Sequence, residues 1–257
     1  RPPRSTLFPY TTLFRSLRLY LANVGMVFFN QIMCMLQRKL DYVAYQPKNH
    51  NIFTTLFCAG VLICIWENRK EKKKFFTYIG IYIFWQAMVM GLAILAEAFD
   101  YVWRGNALLQ TVLRTNYIFP LLGGIWDAEG GVFFIVLGVW LYCAVENKWK
   151  LALRYILFCG AYMFMCQGDI LYRIMSRFSF WGYHKLADVI YFGSSFVGIP
   201  LGTSDLSLLT EFYQWMMIGA LPIMLSCNGK RGKSLKWLFY AAYPLQFLVL
   251  YGISYYK

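Results

Sequence analysis

Tyr240, Tyr243 and Gln246 are spaced three residues apart in an apolar run near the end of the chain, so on a helix they fall broadly on one face. Two readings are open: the face packs against neighbouring helices, or it lines a polar cavity. In the second, these side chains turn inward toward Asn51, Thr54 or Glu129, because unsatisfied polar groups are costly in hydrocarbon. Gln246 can donate and accept hydrogen bonds but cannot take a proton at neutral pH. Glu129 opens an apolar run, where a helix dipole favours negative charge; it reads as an N-terminal capping carboxylate or as a substrate contact. Glu97 and Glu211 lie in or against long apolar stretches, and an ionisable group at membrane depth is a functional candidate by default. Placed near an interface, either one is ordinary. His184, among Trp181, Tyr183 and Lys185, fits interfacial anchoring better than catalysis.

The signatures of soluble enzymes are missing: there is no GxSxG, P-loop, HExxH or GxGxxG pattern. Gly130-Gly131 and Gly202-Thr203-Ser204-Asp205 read as turns. The seven cysteines, Cys34, Cys58, Cys64, Cys143, Cys159, Cys166 and Cys227, lie mostly in apolar stretches without metal-type pairing and read as small buried hydrophobes. His50 and His184 have no cysteine at ligand spacing, so no metal site is expected.

Composition says what must position these residues. The 257-residue chain is 59% hydrophobic, 20% aromatic and only 14% charged, against about a quarter charged in soluble domains. The implied fold class is all-α, a polytopic transmembrane helical bundle embedded in a lipid bilayer. A hydrocarbon core of about 30 Å needs roughly 20 apolar residues in a helix. The candidate spans are Leu17–Leu36, Ile52–Trp66, Phe75–Phe99, Val132–Val145, Leu151–Cys166, Leu208–Ser226 and Leu235–Tyr255, about seven in all. Arg114, Asn116, Pro120 and the Gly123-Gly124 pair interrupt Ala107–Trp126, which reads as an interfacial or re-entrant element. Asp169–Asp205, mixing charges with aromatics, reads as one or two amphipathic helices on the membrane surface.

Basic residues cluster beside the apolar runs, at Arg69, Lys70 and Lys72–Lys74, at Lys148, Lys150 and Arg154, and at Lys230, Arg231, Lys233 and Lys236. If Ala107–Trp126 does not cross, all three clusters fall on one face, which the positive-inside rule makes cytoplasmic. Arg38, His50, Tyr101, Trp103 and the 169–205 segment then lie outside. No helix or strand motif for nucleic acid accompanies the charge, so no nucleic-acid partner is expected.

Near the end, Ala220-Leu221-Pro222 leads through a basic turn, Asn228-Gly229-Lys230-Arg231-Gly232, to Lys236-Trp237-Leu238-Phe239-Tyr240-Ala241-Ala242-Tyr243-Pro244-Leu245-Gln246-Phe247. This resembles the TraX family of membrane proteins, whose members end in a helix, a basic Asn-Gly turn and a helix with a FYxFYPxH-like core. Asn51-Ile52-Phe53-Thr54-Thr55-Leu56, leading into a helix that ends Trp66-Glu67-Asn68-Arg69-Lys70, is similar to that family's NVLFTL helix. Glu129-Gly130-Gly131-Val132, opening a helix that closes in Leu141-Tyr142, is a weaker match. The resemblance implies an integral-membrane acyltransferase of the bacterial inner membrane. It would take acyl-CoA as donor and acetylate a pilin subunit or surface polymer. A non-enzymatic transporter or assembly factor is the competing class, and broken helices around a midplane site would be its sign. Gln246 stands where the family carries histidine.

Arg1–Ser16, RPPRSTLFPYTTLFRS, resembles one reading frame of a standard sequencing-library adapter. The natural sequence is therefore expected to begin near Leu17, with residues 17–257 forming one transmembrane domain and residues 1–16 loosely attached. Setting aside Arg1, Arg4 and Arg15 leaves 22 basic side chains against 12 acids, a net charge of +10. The family's Asp-His helix is then expected upstream of Leu17, so that this fragment alone does not catalyse.

Overall fold

The computed structural model describes residues 8–40, 51–102, 120–125, 128–166, 213–226 and 236–255. Regular structure among them is entirely helical. Three helical stretches are long and apolar enough to cross a bilayer: Ser16–Gln37, Ile52–Lys70 and Lys72–Leu92. The chain divides into two compact units, residues 1–129 with 233–257, and residues 130–232.

The first unit is built on helix α1, Phe8–Leu40. Pro9 stands in its first turn, where a missing N–H has no helical partner to lose, and no proline follows before Leu40. Helix therefore runs uninterrupted through Phe8–Ser16, a segment expected to be loosely attached, and Ser16 itself is buried. Along α1 the buried polar residues Ser16, Asn23, Asn30 and Gln37 recur every seven positions, a spacing that drifts only about 20° per step and keeps them on one face. Phe28 and Ile32 point outward on another.

Helix α2, Ile52–Glu67, lies antiparallel to α1. Ser16 Oγ comes within 3.2 Å of the position a side chain at Gly60 would take, the Tyr20 and Phe57 rings are 5.4 Å apart, and Asn23 meets Thr54. A 3₁₀ turn, Asn68–Lys70, leads into helix α3, Lys72–Val102. Asn68 terminates α2 by donating its side-chain amide to the Cys64 carbonyl at 2.8 Å. The outer face of α3 carries Phe76, Ile81, Ile83 and Phe84, the last 72% exposed, a surface suited to lipid rather than water.

Residues Pro120–Ile125 follow an irregular path, and side chains satisfy their backbone. Tyr20 Oη donates to the Leu121 carbonyl (2.7 Å) and Trp85 Nε1 to that of Leu122 (2.9 Å). Gln86 serves twice, donating to the Gly123 carbonyl (3.1 Å) and accepting from the Ile125 N–H (3.0 Å). Non-helical backbone among membrane helices is tolerated only when its polar groups are met in this way; the rest of Ala107–Trp126, read as interfacial or re-entrant, lies outside the described residues. Gly123 has φ +66°, and a Cβ there would lie 2.6 Å from the Phe57 ring, so glycine is required on both counts.

In chain order the remaining helices are α4 (Gly131–Tyr142), α5 (Lys148–Cys166), α6 (Leu221–Ser226) and α7 (Lys236–Tyr255). Helix α7 returns to the first unit, where Tyr251 and Met33 form a core with Phe29, Leu36 and Phe247. The second unit holds α4 to α6. Phe133 stacks on Phe158 at 4.5 Å, Phe134 meets Tyr162 edge-on, and Tyr155 Oη donates to the Met217 carbonyl at 2.7 Å. Asn147 caps α5, its Oδ1 accepting from the N–H groups of Trp149 and Lys150, as expected for asparagine at an N-cap.

Some candidate spans are shorter than their apolar runs. The Val132–Val145 run is met by the 12-residue α4, which ends at Tyr142, about 18 Å of rise. Within Leu208–Ser226 the described residues form a 3₁₀ helix, Tyr213–Ala220, and then α6, with Pro222 in the first turn of α6, where its missing N–H has no helical partner to lose. The 169–205 segment, His50, His184, Glu211 and the basic turn Asn228–Gly232 lie outside the described residues, as does the side chain of Glu97 on α3.

Candidate functional site

The N-terminal end of α2 gathers most of the polar side chains singled out in the sequence. Asn51 stands at the N-cap, a position asparagine favours because its side chain can accept from the first helical N–H groups. Here it makes no such bond. Its Nδ2 donates to Asn23 Oδ1 of α1 at 2.7 Å, and Thr54 Oγ1 donates to the same oxygen at 2.7 Å. Asn23 Nδ2 in turn donates to the Pro120 carbonyl. One amide on α1 thus ties the start of α2 to the irregular segment. Asn23 and Thr54 are fully buried and Asn51 nearly so.

The N–H of Ile52, the first of α2, lies outside the reach of a cap side chain and needs a partner of its own. Ile52 N donates to Tyr243 Oη of α7 at 3.3 Å. Tyr243 Oη donates in turn to Glu129 Oε2 at 2.6 Å, a short bond of the kind expected between a hydroxyl and a carboxylate. Thr55 Oγ1 donates to the Glu129 backbone carbonyl at 2.9 Å, fixing the turn that carries the acid. Phe53 sits behind, its ring 5.3 Å from Tyr243 and 5.8 Å from Tyr240. Burial pushes the Glu129 carboxyl above its ordinary value, and the Tyr243 hydrogen bond opposes that rise. The group therefore stands closer to neutral pH than a solvated glutamate, which suits it to exchange a proton.

Asn51, Thr54, Glu129 and Tyr243 are brought together, with Tyr240 beside them through Phe53. Gln246 is not: its side chain is exposed on α7, a correction to the expectation that all three turn inward. Steps of three fall 60° short of a full turn, so two steps swing the side chain 120° away. The inward stripe runs instead through Tyr243, Phe247 and Tyr251, four apart.

Asn23 and Thr55 belong to the site but were not singled out. For Asn23 a signal exists, since the seven-residue repeat of polar groups through the apolar α1 marks an inward face. Asn51 Oδ1 is a buried acceptor without a donor among the described residues, and such atoms seek an N–H or O–H. No group of three or more His, Cys, Asp or Glu side chains gathers among the described residues. No family model matches the chain, and comparisons with curated proteins and with solved structures find no match either.

Proposed function

We propose that the chain is part of a TraX-like integral-membrane acyltransferase, a bundle of about seven spans in the bacterial inner membrane. The polar cluster at the start of α2 receives the acyl acceptor, a pilin subunit or surface polymer. The Tyr243–Glu129 hydrogen bond carries this reading: it keeps a half-buried carboxylate in place at the start of α2. Glu129, whose carboxyl is raised by burial, would take up the proton of an amine or hydroxyl of the acceptor. The nucleophile attacks the thioester carbonyl of acyl-CoA, the C–S bond breaks, and the departing thiolate leaves as coenzyme A once protonated. The family's histidine would be the principal base, which puts Glu129 in a supporting role.

The test uses membrane vesicles carrying the chain together with the upstream helices that the resemblance places before Leu17. Acetyl-CoA labelled in the acetyl group is added, and label on protein and polymer is counted. Glu129→Gln and Tyr243→Phe should lower incorporation by about tenfold or more, in the range seen when a positioned proton-transfer group is removed, while Leu248→Ala on the outer face of α7 should not. Unchanged incorporation in both variants would refute the assignment.

One observation favours the competing class. Irregular backbone at Pro120–Ile125, met by side chains of α1 and α3, is the kind of element transporters place at a central binding site. Uptake or release of an acyl acceptor without any label transfer in the same vesicles would support that class.

A further inference from the structure

A cleft of 860 Å³ opens between α1, α2 and α3, with Leu17, Phe57, Val61, Ile65, Ile81 and Trp85 in its walls. Its size is that of a ligand site, typically about 300–1,000 Å³. Its walls are overwhelmingly apolar, and most of the polar groups among them are already engaged, the buried Tyr82 hydroxyl, without a partner among the described residues, being an exception. Asn68 Nδ2 is bound to the Cys64 carbonyl, Tyr20 Oη to Leu121, Trp85 Nε1 to Leu122, and both ends of the Gln86 amide to Gly123 and Ile125.

The cleft has direction. Along α2 it runs from Phe57 to Asn68, about 16 Å at 1.5 Å per residue, and one leaflet of a hydrocarbon core of about 30 Å is about 15 Å deep. The Leu121–Gly123 turn stands at the Phe57 end, where Phe57 touches Gly123. At the other end Asn68 and Tyr78 flank the α2–α3 turn, where Arg69, Lys70, Lys72, Lys73 and Lys74 are all exposed. Arg69 lies over the Trp66 ring at 5.2 Å and Lys74 pairs with Glu71 at 2.7 Å, leaving Lys70, Lys72 and Lys73 as exposed cations of the turn that follows Asn68. Apolar walls one leaflet deep beneath a cationic rim match one amphiphile, an acyl chain with an anionic head.

We propose that this cleft binds an acyl chain of an anionic phospholipid, from the leaflet on the side of the basic turn, with the headgroup phosphate held by Lys70, Lys72 and Lys73. The inference rests on a different cavity from the polar cluster and stands or falls apart from acyl transfer. To test it, the full chain is purified in detergent, equilibrated with equal amounts of dioleoylphosphatidylglycerol and dioleoylphosphatidylcholine, washed, and the retained lipid counted by mass spectrometry. The expected result is retention of phosphatidylglycerol over phosphatidylcholine, with preference falling about fivefold for each of Lys70→Gln, Lys72→Gln and Lys73→Gln. Val61→Trp, which fills the cleft, should cut retention of both lipids. The lysine variants alter only exposed side chains, so loss of preference in them reports binding rather than misfolding. Equal retention of the two lipids by the unmodified chain would overturn the proposal. So would unchanged retention in Val61→Trp, or displacement of phosphatidylglycerol by equimolar palmitoyl-CoA, which would make the cleft an acyl-donor site.

Discussion

Tyr243 donates its hydroxyl to Glu129 at 2.6 Å across 114 positions of sequence, and the same oxygen accepts the first N–H of α2 from Ile52. One phenol thus closes the first unit, joining its last helix to the turn at Glu129 and to the open end of α2. Removing it leaves a helix N–H and a half-buried carboxylate short of a partner at once.

Tyr243→Phe should therefore destabilise the protein by about 1.5–3 kcal/mol, the usual worth of a hydrogen bond to a charged group, read from detergent-unfolding curves. Gln246→Ala, one turn along and exposed, should stay within about 0.5 kcal/mol of the parent. Equal losses in the two would place the cluster elsewhere on α7.

The pH dependence of stability should carry the sign of a buried acid. The Glu129 carboxyl is raised from the ordinary 4.5, so the folded state binds its proton more tightly than the unfolded state. Its cost to stability is absent below about pH 4.5 and grows as pH rises through the folded value. Glu129→Gln keeps an acceptor for Tyr243 and should flatten that part of the profile. In Tyr243→Phe the carboxyl should titrate higher still, visible in its infrared carbonyl band, because the hydrogen bond that lowers it is gone. A downward shift would contradict the stated geometry.

Asn23 should prove the most sensitive residue of α1. Asn23→Leu leaves Asn51 Nδ2 and Thr54 Oγ1 without their acceptor, while the Pro120 carbonyl keeps the Gly123 N–H. Each unpaired group costs about 1–3 kcal/mol, so the loss should exceed that of Tyr243→Phe. Asn23→Asp keeps the acceptor shared by Asn51 and Thr54 and should lose less in the same unfolding measurement.

Gly123→Ala should cost about 1–3 kcal/mol, since alanine is strained at positive φ and its Cβ would meet the Phe57 ring. Pairing it with Phe57→Leu should recover only part of the loss, because the backbone strain remains. Full recovery would assign the whole effect to the ring.

Much of this was legible in the sequence wherever a period or a breaker spoke. The apolar runs Leu17–Leu36, Ile52–Trp66 and Phe75–Phe99 fall on the stretches Ser16–Gln37, Ile52–Lys70 and Lys72–Leu92, and Pro120 with Gly123 marks the irregular segment. Asn51, Thr54, Glu129 and Tyr243 were found as polar residues beside apolar helices. Gln246 failed because a spacing of three leaves the inward face within two steps. Asn23 was overlooked because one amide in an apolar helix resembles a tolerated impurity until the repeat through Ser16, Asn30 and Gln37 is noticed. Its partner at Pro120 is a backbone carbonyl 97 residues away, which no side-chain pattern encodes. The short α4 and the broken Tyr213–Ser226 stretch show that apolar length sets only an upper bound on helix length: α4 stops before the turn Cys143–Asn147, and Pro222 stands in the first turn of α6.

The central claim, that Tyr243 and Glu129 act as one unit in acyl transfer, is tested most directly by a double-mutant cycle on labelled-acetyl incorporation in the vesicles described above. Tyr243→Phe and Glu129→Gln should each lower the rate about tenfold or more, and the double variant should fall no further, because either change already breaks the unit. Losses that multiply in the double variant, or single variants that transfer acetyl at the parental rate, would contradict it.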